Sequence, residues 1–269
     1  YVINLPNETE RKNRITARLQ ALGIEPTFVE GVDGRLIDLD ASGVYDSARH
    51  RRCYPRDLSR GEIGCCLAHR NVYARMLEDG CEHAVVLEDD ALLVDDLPQV
   101  IDALLAVSSS WDLVRFLGRE KNDRASRIIG PLPGVASQLA RPLSIPGGAY
   151  GYLLNRHAAT KLHALTARNW LAIDTLHGMV YHTGLATLSC IPSPVLPNDA
   201  VASCIDTQDD GHRWKPEKHA NFGGALAYPF TRGAWKFHLA MNAARLRLAT
   251  WLCDRKLGRQ LARMTFGRQ

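Results

Sequence analysis

The sequence lacks any apolar stretch of the ~20 residues that a helix needs to cross a bilayer. It also lacks CxxC pairs, and its seven cysteines are an odd number without regular spacing. Such cysteines argue against a disulfide framework and favour a reducing compartment. No internal repeat of solenoid length is present. These absences exclude an integral membrane span, a disulfide scaffold and a repeat array, and they predict a cytoplasmic protein.

The 269 residues, 46% of them hydrophobic, are enough for one large α/β domain or two small ones. Residues 1–5 predict a strand, residues 8–22 a helix and residues 28–29 a second strand. This β-α-β opening is typical of a parallel sheet flanked by helices. Residues 36–55 look irregular, and proline and glycine predict a loop region over residues 130–146.

An apolar run ends in three adjacent carboxylates within AVVLEDDALL, which are Glu88, Asp89 and Asp90. The run predicts a buried strand, and ligand sites of open α/β sheets lie outside the carboxyl ends of such strands. Alternation along a strand would turn Glu88 and Asp90 one way and Asp89 the other. Carboxylates so close together suit Mg²⁺ or Mn²⁺. A solvated turn is the alternative, and this pattern does not decide between the two.

A second unusual segment, LSRGEIGCCLAH, predicts a helix that opens with a capping box formed by Ser59 and Glu62. Gly61 and Gly64 lie in its first turns, where each glycine costs about 1 kcal/mol relative to alanine. The glycines therefore predict a close approach by an anion or by another backbone. Tight packing of the helix on the sheet, with His69 as a core histidine, explains the same residues.

Two later features carry candidate site residues. GGAYGY begins with Gly147 and Gly148, lacks the spacing of a dinucleotide fingerprint, and predicts a close backbone approach to substrate. Asp174 follows an apolar triplet at a predicted helix start, where it is either an N-cap or a general base. The histidines at 177, 182 and 212 form no zinc-binding spacing.

The order of these motifs, from YVINL through VDG, LSRGEIGCCLAH, VVLEDDALL and GGAYGYLL to Asp174, resembles glycosyltransferase family 25. This family holds bacterial lipooligosaccharide galactosyltransferases and has collagen galactosyltransferases among its relatives. The resemblance covers residues 1–206 and departs from the usual pattern at Ala68, where serine is common, and at Tyr73, where tryptophan is common. It implies a GT-A-like, Rossmann-type fold, UDP-galactose as donor and Mn²⁺, or Mg²⁺, as cofactor.

Carried over by position, the resemblance also implies roles for individual residues. Inverting transfer would use Asp174 as the base that activates the acceptor hydroxyl, and Glu88 and Asp90 would hold the metal. A downstream histidine often completes the metal shell, for which His212 is the first choice and His182 the second. The donor-binding residues implied are Asn4, Leu5, Arg11 and Asp33 around the uridine, Gly61 and Glu62 in the glycine-containing helix, and Gly147 and Gly148.

The charge is uneven, because the excess of Lys and Arg collects after Arg213. We therefore divide the chain into a catalytic domain, residues 1–212, and a helical basic extension, residues 213–269. Beyond Phe230 the only acid is Asp254, while Trp235 and Trp251 alternate with cations at Lys236, Arg245, Arg247, Arg255, Lys256 and Arg259. Such a helix predicts peripheral binding to the anionic inner membrane beside a lipid-linked oligosaccharide acceptor. The alternative is a helix packed on the catalytic domain.

Two competing functions remain open at this point. A metal-dependent phosphohydrolase or nucleotidyltransferase would also place carboxylates at the end of a central strand. A non-enzymatic adaptor could use the basic tail for a membrane or nucleic acid, but it leaves the acidic triplet unexplained, and no nucleic-acid motif supports it. We therefore expect no nucleic-acid partner.

Overall fold

The computed structural model describes residues 1–54, 56–198 and 227–266. Within these ranges the strands are β1 (Val2–Asn4), β2 (Phe28–Glu30), β3 (His83–Glu88), β4 (Leu92–Leu93), β5 (Leu113–Arg115), β6 (Ser126–Pro131), β7 (Gln138–Pro142), β8 (Gly151–Asn155), β9 (Thr187–Ile191) and β10 (Val195–Leu196). The helices are α1 (Thr9–Ala21), α2 (Leu39–Ser42), α3 (Ser47–Arg51), α4 (Arg60–Glu78), α5 (Leu97–Leu105), α6 (Glu120–Arg124), α7 (Arg156–Leu165), α8 (Ile173–Gly178), α9 (Val180–Thr183), α10 (Ala227–Ala249) and α11 (Trp251–Phe266).

Eight of these strands form one sheet in the order β2-β1-β3-β8-β5-β9-β7-β6. The β2, β1 and β3 strands are parallel to one another, and β5 is parallel to β9, while β8 runs antiparallel between β3 and β5. The predicted α/β, GT-A-like fold is confirmed. The carboxyl ends of β1 and β3 and the start of β8 therefore meet at one edge of the sheet.

The sheet is covered on both faces, as its apolar strands require. Along β3, Val85 and Leu87 pack into one hydrophobic cluster with α1 and α5, whereas Ala84 and Val86 pack into a second cluster with α4, α7 and α8. Because side chains alternate along a strand, one continuous apolar run supplies both clusters. Burial of these two clusters fixes β3, and hence its acidic end, in the middle of the domain.

Helix α4 begins where its sequence predicts. The Ser59 hydroxyl accepts a hydrogen bond from the backbone nitrogen of Glu62 at 3.1 Å, and the Glu62 carboxylate accepts one from the backbone nitrogen of Ser59 at 2.8 Å. The predicted capping box is thus confirmed, and it satisfies two backbone donors that a helix start leaves unpaired.

The predicted loop over residues 130–146 is wrong in part. Its first two residues end β6, and β7 follows as the antiparallel partner of β6 after a turn at Gly134, whose φ is +77°. The β7 segment, QLARP, contains no β-branched residue and ends in proline, so its local sequence does not indicate a strand. Residues 36–55 likewise contain the short helices α2 and α3 within their irregular path.

Helix α11 packs on β6 along one face. Leu261 is completely buried in the first hydrophobic cluster, and Gly258 lies so close to Ile129 that an added Cβ would stand 2.2 Å from the Ile129 carbonyl oxygen. Buried Asp254 accepts hydrogen bonds from the guanidinium groups of Arg127 and Arg141. This part of the basic tail therefore contributes to the core. Among the described helices, none combines the length and apolar character that spanning a membrane requires.

Candidate active site

The candidate site lies where β1 and β3 end side by side. Ile3 pairs with Glu88 in the register of the two strands, and the next residues are Asn4 and Asp89. The Asn4 side-chain nitrogen donates a hydrogen bond of 2.7 Å to Asp89. Glu88 faces α4 instead. Glu88 and Asp89 thus face different ways. Because β3 ends at Glu88, both Asp89 and Asp90 lie in the following turn, and strand alternation does not govern them.

Arg11 lies against the second and third carboxylates of the triplet. Its Nη1 atom is 3.5 Å from Asp89 and 3.8 Å from Asp90. Burial, followed by repulsion from Glu88 and Asp89, raises the pKa of Asp90 to about 7, and the positive charge of Arg11 opposes this only in part. Burial also raises the pKa of Asp89, against the hydrogen bond from Asn4. The site therefore concentrates negative charge at the carboxyl end of a central strand.

Glu88 is the carboxylate that contacts α4. Its Oε1 atom lies 3.4 Å from His69 Nε2 and 3.9 Å from Cys65 Sγ. Cys65 and His69 are four residues apart, which places both on one face of the helix. Among the described residues, Cys65, His69 and Glu88 form a group whose potential metal-ligating atoms all lie within 4.8 Å of one another.

A chain of buried hydrogen bonds leads from this group into the core. His69 Nδ1 lies 2.8 Å from the Tyr152 hydroxyl, which donates to the Tyr73 hydroxyl at 3.2 Å. The Tyr73 hydroxyl in turn lies 2.8 Å from His177 Nε2 on α8. Burial lowers the pKa of His177 well below its usual value, so its ring is neutral at pH 7. The chain joins α4, β8 and α8 behind Glu88, and Tyr73 enters it through the hydroxyl that a tryptophan would lack.

The loop before β8 lies between Glu88 and Asp174. The backbone nitrogen of Glu88 donates to the Tyr150 carbonyl oxygen at 3.0 Å, and the backbone nitrogen of Gly148 donates to Asp174 at 3.0 Å. Arg115, which is completely buried, donates to the carbonyl oxygens of Pro146 and Gly148. Burial lowers the pKa of Arg115 to about 10, so it is still a cation at pH 7. The structure thus brings Gly147, Gly148 and Asp174 together, in a loop that also bonds to the backbone of Glu88.

The remaining predicted donor residues lie on the β2 side. The carbonyl oxygen of Asn4 accepts a hydrogen bond from the Gly31 backbone, which packs against Leu5. Asp33 accepts hydrogen bonds from both the backbone and the guanidinium of Arg35, and these hold the pKa of Asp33 below its usual value. Asp33 is therefore held by Arg35, two residues along the chain.

Gly64 of α4 is explained by an approaching backbone. A Cβ atom on Gly64 would lie 2.5 Å from the carbonyl oxygen of Val32, and one on Gly34 would lie 1.8 Å from that of Arg60. The turn after β2 thus packs directly on the start of the helix. Glu62 is buried and pairs with Arg56 at 2.7 Å besides closing the capping box. The sequence predicted a close approach by an anion or by another backbone, and the described residues show a backbone.

Comparisons with known proteins agree with these motifs. Residues 1–127, which hold the acidic triplet and α4, match the model of glycosyltransferase family 25, described as an LPS biosynthesis protein. The first half of the chain belongs to glycosyltransferase family 25. The resemblance drawn from the ordered motifs is therefore confirmed.

Similar proteins in this family include some named galactosyltransferases and some named inactive. A rat protein named probable inactive glycosyltransferase 25 family member 3 is 30% identical over 189 residues, which are 67% of this chain and 31% of the rat protein. Procollagen galactosyltransferase 1-B of Xenopus laevis is 29% identical over 190 residues, 67% of this chain and 30% of its own. Human procollagen galactosyltransferase 2 is 29% identical over 170 residues, 60% of this chain and 26% of its own. The chain spans between about a quarter and a third of the length of these relatives.

His212 and His182 are the two histidines predicted as candidates to complete the metal shell. His212 lies outside the described residues. The ring centroid of His182 is 5.8 Å from that of Trp170, and His182 lines an apolar cavity of about 420 Å³ between α9 and α10. Its described contacts are thus with aromatic and apolar groups.

The sequence did not predict the contact of His69 and Cys65 with Glu88. Tight packing of α4 on the sheet predicted His69 as a core histidine, and no role was predicted for Cys65. The description of His69 holds for Nδ1, which is hydrogen-bonded inside the core, but Nε2 faces the carboxylate. The four-residue spacing in CCLAH was the available signal, since a cysteine and a histidine so spaced share a helix face.

Proposed function

We propose that the protein is a metal-dependent, inverting glycosyltransferase that moves galactose from UDP-galactose to a saccharide acceptor of lipooligosaccharide or lipopolysaccharide. The observation that carries this proposal is the acidic triplet at the end of β3, within the half of the chain that belongs to family 25. Procollagen galactosyltransferases among the similar proteins support galactose as the transferred sugar.

The carboxylate oxygens of the acidic triplet fit a hard divalent cation. Glu88 and Asp90 are partly exposed carboxylates, and burial, followed by repulsion from Glu88 and Asp89, raises the pKa of Asp90 to about 7. Asp89 is already held by Asn4 and Arg11. Glu88 and Asp90 would therefore hold Mn²⁺ or Mg²⁺, with His212 as the proposed third ligand. When bound, such an ion stabilises the negative charge of the departing nucleoside diphosphate.

Other residues of the chain would bind the nucleotide and the sugar of the donor. Asn4, Leu5, Arg11 and Asp33 would border the nucleotide at the ends of β1 and β2. Gly61 and Glu62 would close the donor side, and Gly147 and Gly148 would leave room for the sugar. These roles are carried over from the resemblance to family 25.

Asp174 is the proposed base. In direct displacement, the acceptor hydroxyl oxygen bonds to the anomeric carbon while the bond from that carbon to the diphosphate breaks. The hydroxyl proton passes to the Asp174 carboxylate. Hydrogen bonds from the backbone nitrogens of Gly148 and Thr175, at 3.0 and 2.6 Å, hold this carboxylate in position.

A donor screen tests the function. Purified protein would be mixed with Mn²⁺, a panel of UDP-sugars and lipooligosaccharide core saccharides, and both UDP release and the saccharide product would be measured. We expect product with UDP-galactose, and loss of product in Asp90→Asn and Glu88→Gln. Asp95→Asn is the matched control, because Asp95 is 93% exposed beyond the same strand. Some similar proteins are named inactive, so the screen is a real test. Absence of turnover with every donor would refute the proposed transferase activity. Donor hydrolysis without any dependence on acceptor would favour a phosphohydrolase.

We also propose that α11 holds the protein peripherally on the cytoplasmic face of the inner membrane, near a lipid-linked acceptor. While its inner face packs on β6, its outer face exposes Trp251, Leu252 and Phe266 beside cations. The exposed cations are Arg255, Lys256, Arg259 and Arg263. Apolar insertion and attraction to anionic lipid would then act together. Trp235 contributes less, because its ring packs against those of Trp170 and Tyr54.

A further inference from the structure

Beside the carboxylates assigned to the donor cation lies a second set of ligand atoms of different chemistry. We propose that Cys65 Sγ, His69 Nε2 and Glu88 Oε1 form a binding site for Zn²⁺. These three atoms lie within 4.8 Å of one another. The site itself does not depend on the proposed glycosyltransferase activity, although its consequence for activity does.

The spacing of the three atoms suits a tetrahedral ion. Bonds of ~2.0–2.3 Å from zinc to nitrogen, oxygen and sulfur place neighbouring ligands ~3.3–3.8 Å apart in a tetrahedron. Glu88 Oε1 is 3.4 Å from His69 Nε2 and 3.9 Å from Cys65 Sγ. Small rotations of side chains already in place would close the remaining gap. Three protein ligands leave the fourth position open.

The hydrogen bonds behind His69 favour a metal ligand at this position. The Tyr152 hydroxyl donates its hydrogen to Tyr73, so in this arrangement the bond between Tyr152 and His69 Nδ1 uses the ring hydrogen on Nδ1. The Nε2 atom, 3.4 Å from Glu88 Oε1, is then the ring atom that faces the carboxylate and is placed to bind a cation together with it. A hydrogen bond to the second ring nitrogen also fixes the orientation of ligating histidines.

The chemistry of the set selects zinc over manganese. Thiolate and imidazole prefer borderline-soft ions such as Zn²⁺, whereas carboxylate oxygens alone suit Mg²⁺ and Mn²⁺. On binding, the Cys65 thiol loses its proton to the solvent and a bond forms between sulfur and zinc. Because Glu88 belongs to both sites, Zn²⁺ would withdraw it from the donor cation. Zinc is therefore expected to inhibit the transferase.

Cobalt provides a direct spectroscopic test on the full chain, because Co²⁺ takes zinc sites and gives a thiolate-to-metal charge-transfer band only when sulfur is a ligand. We expect this band in the wild-type protein, its loss in Cys65→Ser, and its retention in Cys253→Ser, which alters an exposed cysteine. Calorimetry with Zn²⁺ should show at least a tenfold loss of affinity in Cys65→Ser. It should also show release of ~1 proton in the wild type, detected with buffers of different ionisation enthalpy.

Several outcomes would overturn the site. A charge-transfer band that persists in Cys65→Ser would place the metal at another cysteine. Equal zinc affinities of the wild type and Cys65→Ser would mean that Cys65 Sγ is not a zinc ligand and that the proposed site does not exist. His69→Gln provides the second variant, and its circular dichroism checks that the fold survives. None of these readouts needs a sugar donor, so a failed donor screen and a failed zinc site are distinguishable.

Discussion

The carboxylate of Asp174 accepts a hydrogen bond from the backbone nitrogen of Gly148 at 3.0 Å. Gly148 has a φ of +92° and lies in the loop whose Tyr150 carbonyl accepts from the Glu88 backbone. One loop therefore joins the proposed base to the proposed metal ligand. A positioned base of this kind contributes ~10²–10⁴-fold to a rate, and its position depends on the loop.

Replacing Asp174 should affect turnover more than donor binding. We expect Asp174→Asn to lower kcat by ~10²–10⁴-fold, because an amide cannot accept the acceptor proton. The affinity for UDP with Mn²⁺, measured by calorimetry, should change little. Thr175→Val is the control, since it removes only the 3.3 Å hydroxyl contact to the carboxylate. Turnover of the Asn variant at nearly the wild-type rate would assign the base elsewhere.

Asp90 should make the stability of the metal-free protein depend on pH. Its pKa of about 7 lies above the usual value of an aspartate, so from pH ~4 to ~7 the folded protein holds a proton that the unfolded chain releases. The contribution of Asp90 to the free energy of unfolding is therefore complete below this window and is lost as pH rises through it.

The free energy of unfolding of Asp90→Asn, relative to that of the wild type, should accordingly increase by on the order of 2 kcal/mol as the pH rises from 4.5 to 7.5. Urea unfolding at both pH values measures this difference, with Asp95→Asn as the control. Binding of Mn²⁺ should strengthen as pH rises through 7, because the ion needs the deprotonated carboxylate. A difference in stability that does not change with pH would contradict the assignment.

Two glycines in helices should respond oppositely to alanine. In Gly64→Ala, the new Cβ would stand 2.5 Å from the Val32 carbonyl oxygen, so we expect a loss of stability of ~1–3 kcal/mol despite the better helix former. In Gly233→Ala, the Cβ would meet nothing within 4 Å, so a gain of up to ~1 kcal/mol is expected. Chemical denaturation compares the two, and a stabilised Gly64→Ala would rule out the close backbone packing.

Asp254 should be necessary for the packing of α11. Its side chain is 5% exposed and pairs with Arg127 and Arg141. Asp254→Asn would leave buried guanidinium charge without its partner, at a cost of ~3–5 kcal/mol. Glu120→Gln breaks a pair whose side chains are both about three-quarters exposed, and should cost less than ~1 kcal/mol. Thermal unfolding would show the contrast, and equal melting temperatures would mean that α11 is not held by this contact.

Membrane binding should be tested with substitutions in the outer face of α11. A truncation before residue 234 would also remove Leu261 and Asp254 from the core. A loss of membrane binding could then result either from a damaged fold or from the missing outer face of α11. We expect the double variant Trp251→Ser with Leu252→Ser to sediment less with anionic liposomes, and salt to weaken the binding of the wild type. Leu36→Ser is the control, because Leu36 is 84% exposed outside the tail. Sedimentation unchanged by both salt and the double variant would contradict membrane binding.

The sequence determined those features whose causes lie within a few neighbouring residues. The Ser59 capping box, the β-α-β opening and the acidic end of β3 each follow from local spacing, because a helix start or a buried strand is set by residues near in the chain. Their order was also sufficient to predict the family. The β7 strand was missed because its stability comes from pairing with β6 and β9 and not from its own composition.

Only the tertiary structure decided which side chains meet across distant segments. Glu88 reaches Cys65 and His69 because β3 packs against α4, and Asp254 reaches Arg141 over 113 residues because Gly258 lets α11 lie on β6. Such contacts depend on how helices and strands pack, and no local pattern encodes them. The sequence therefore placed charge at one end of a strand, while packing selected the histidine, the cysteine and the loop that surround it.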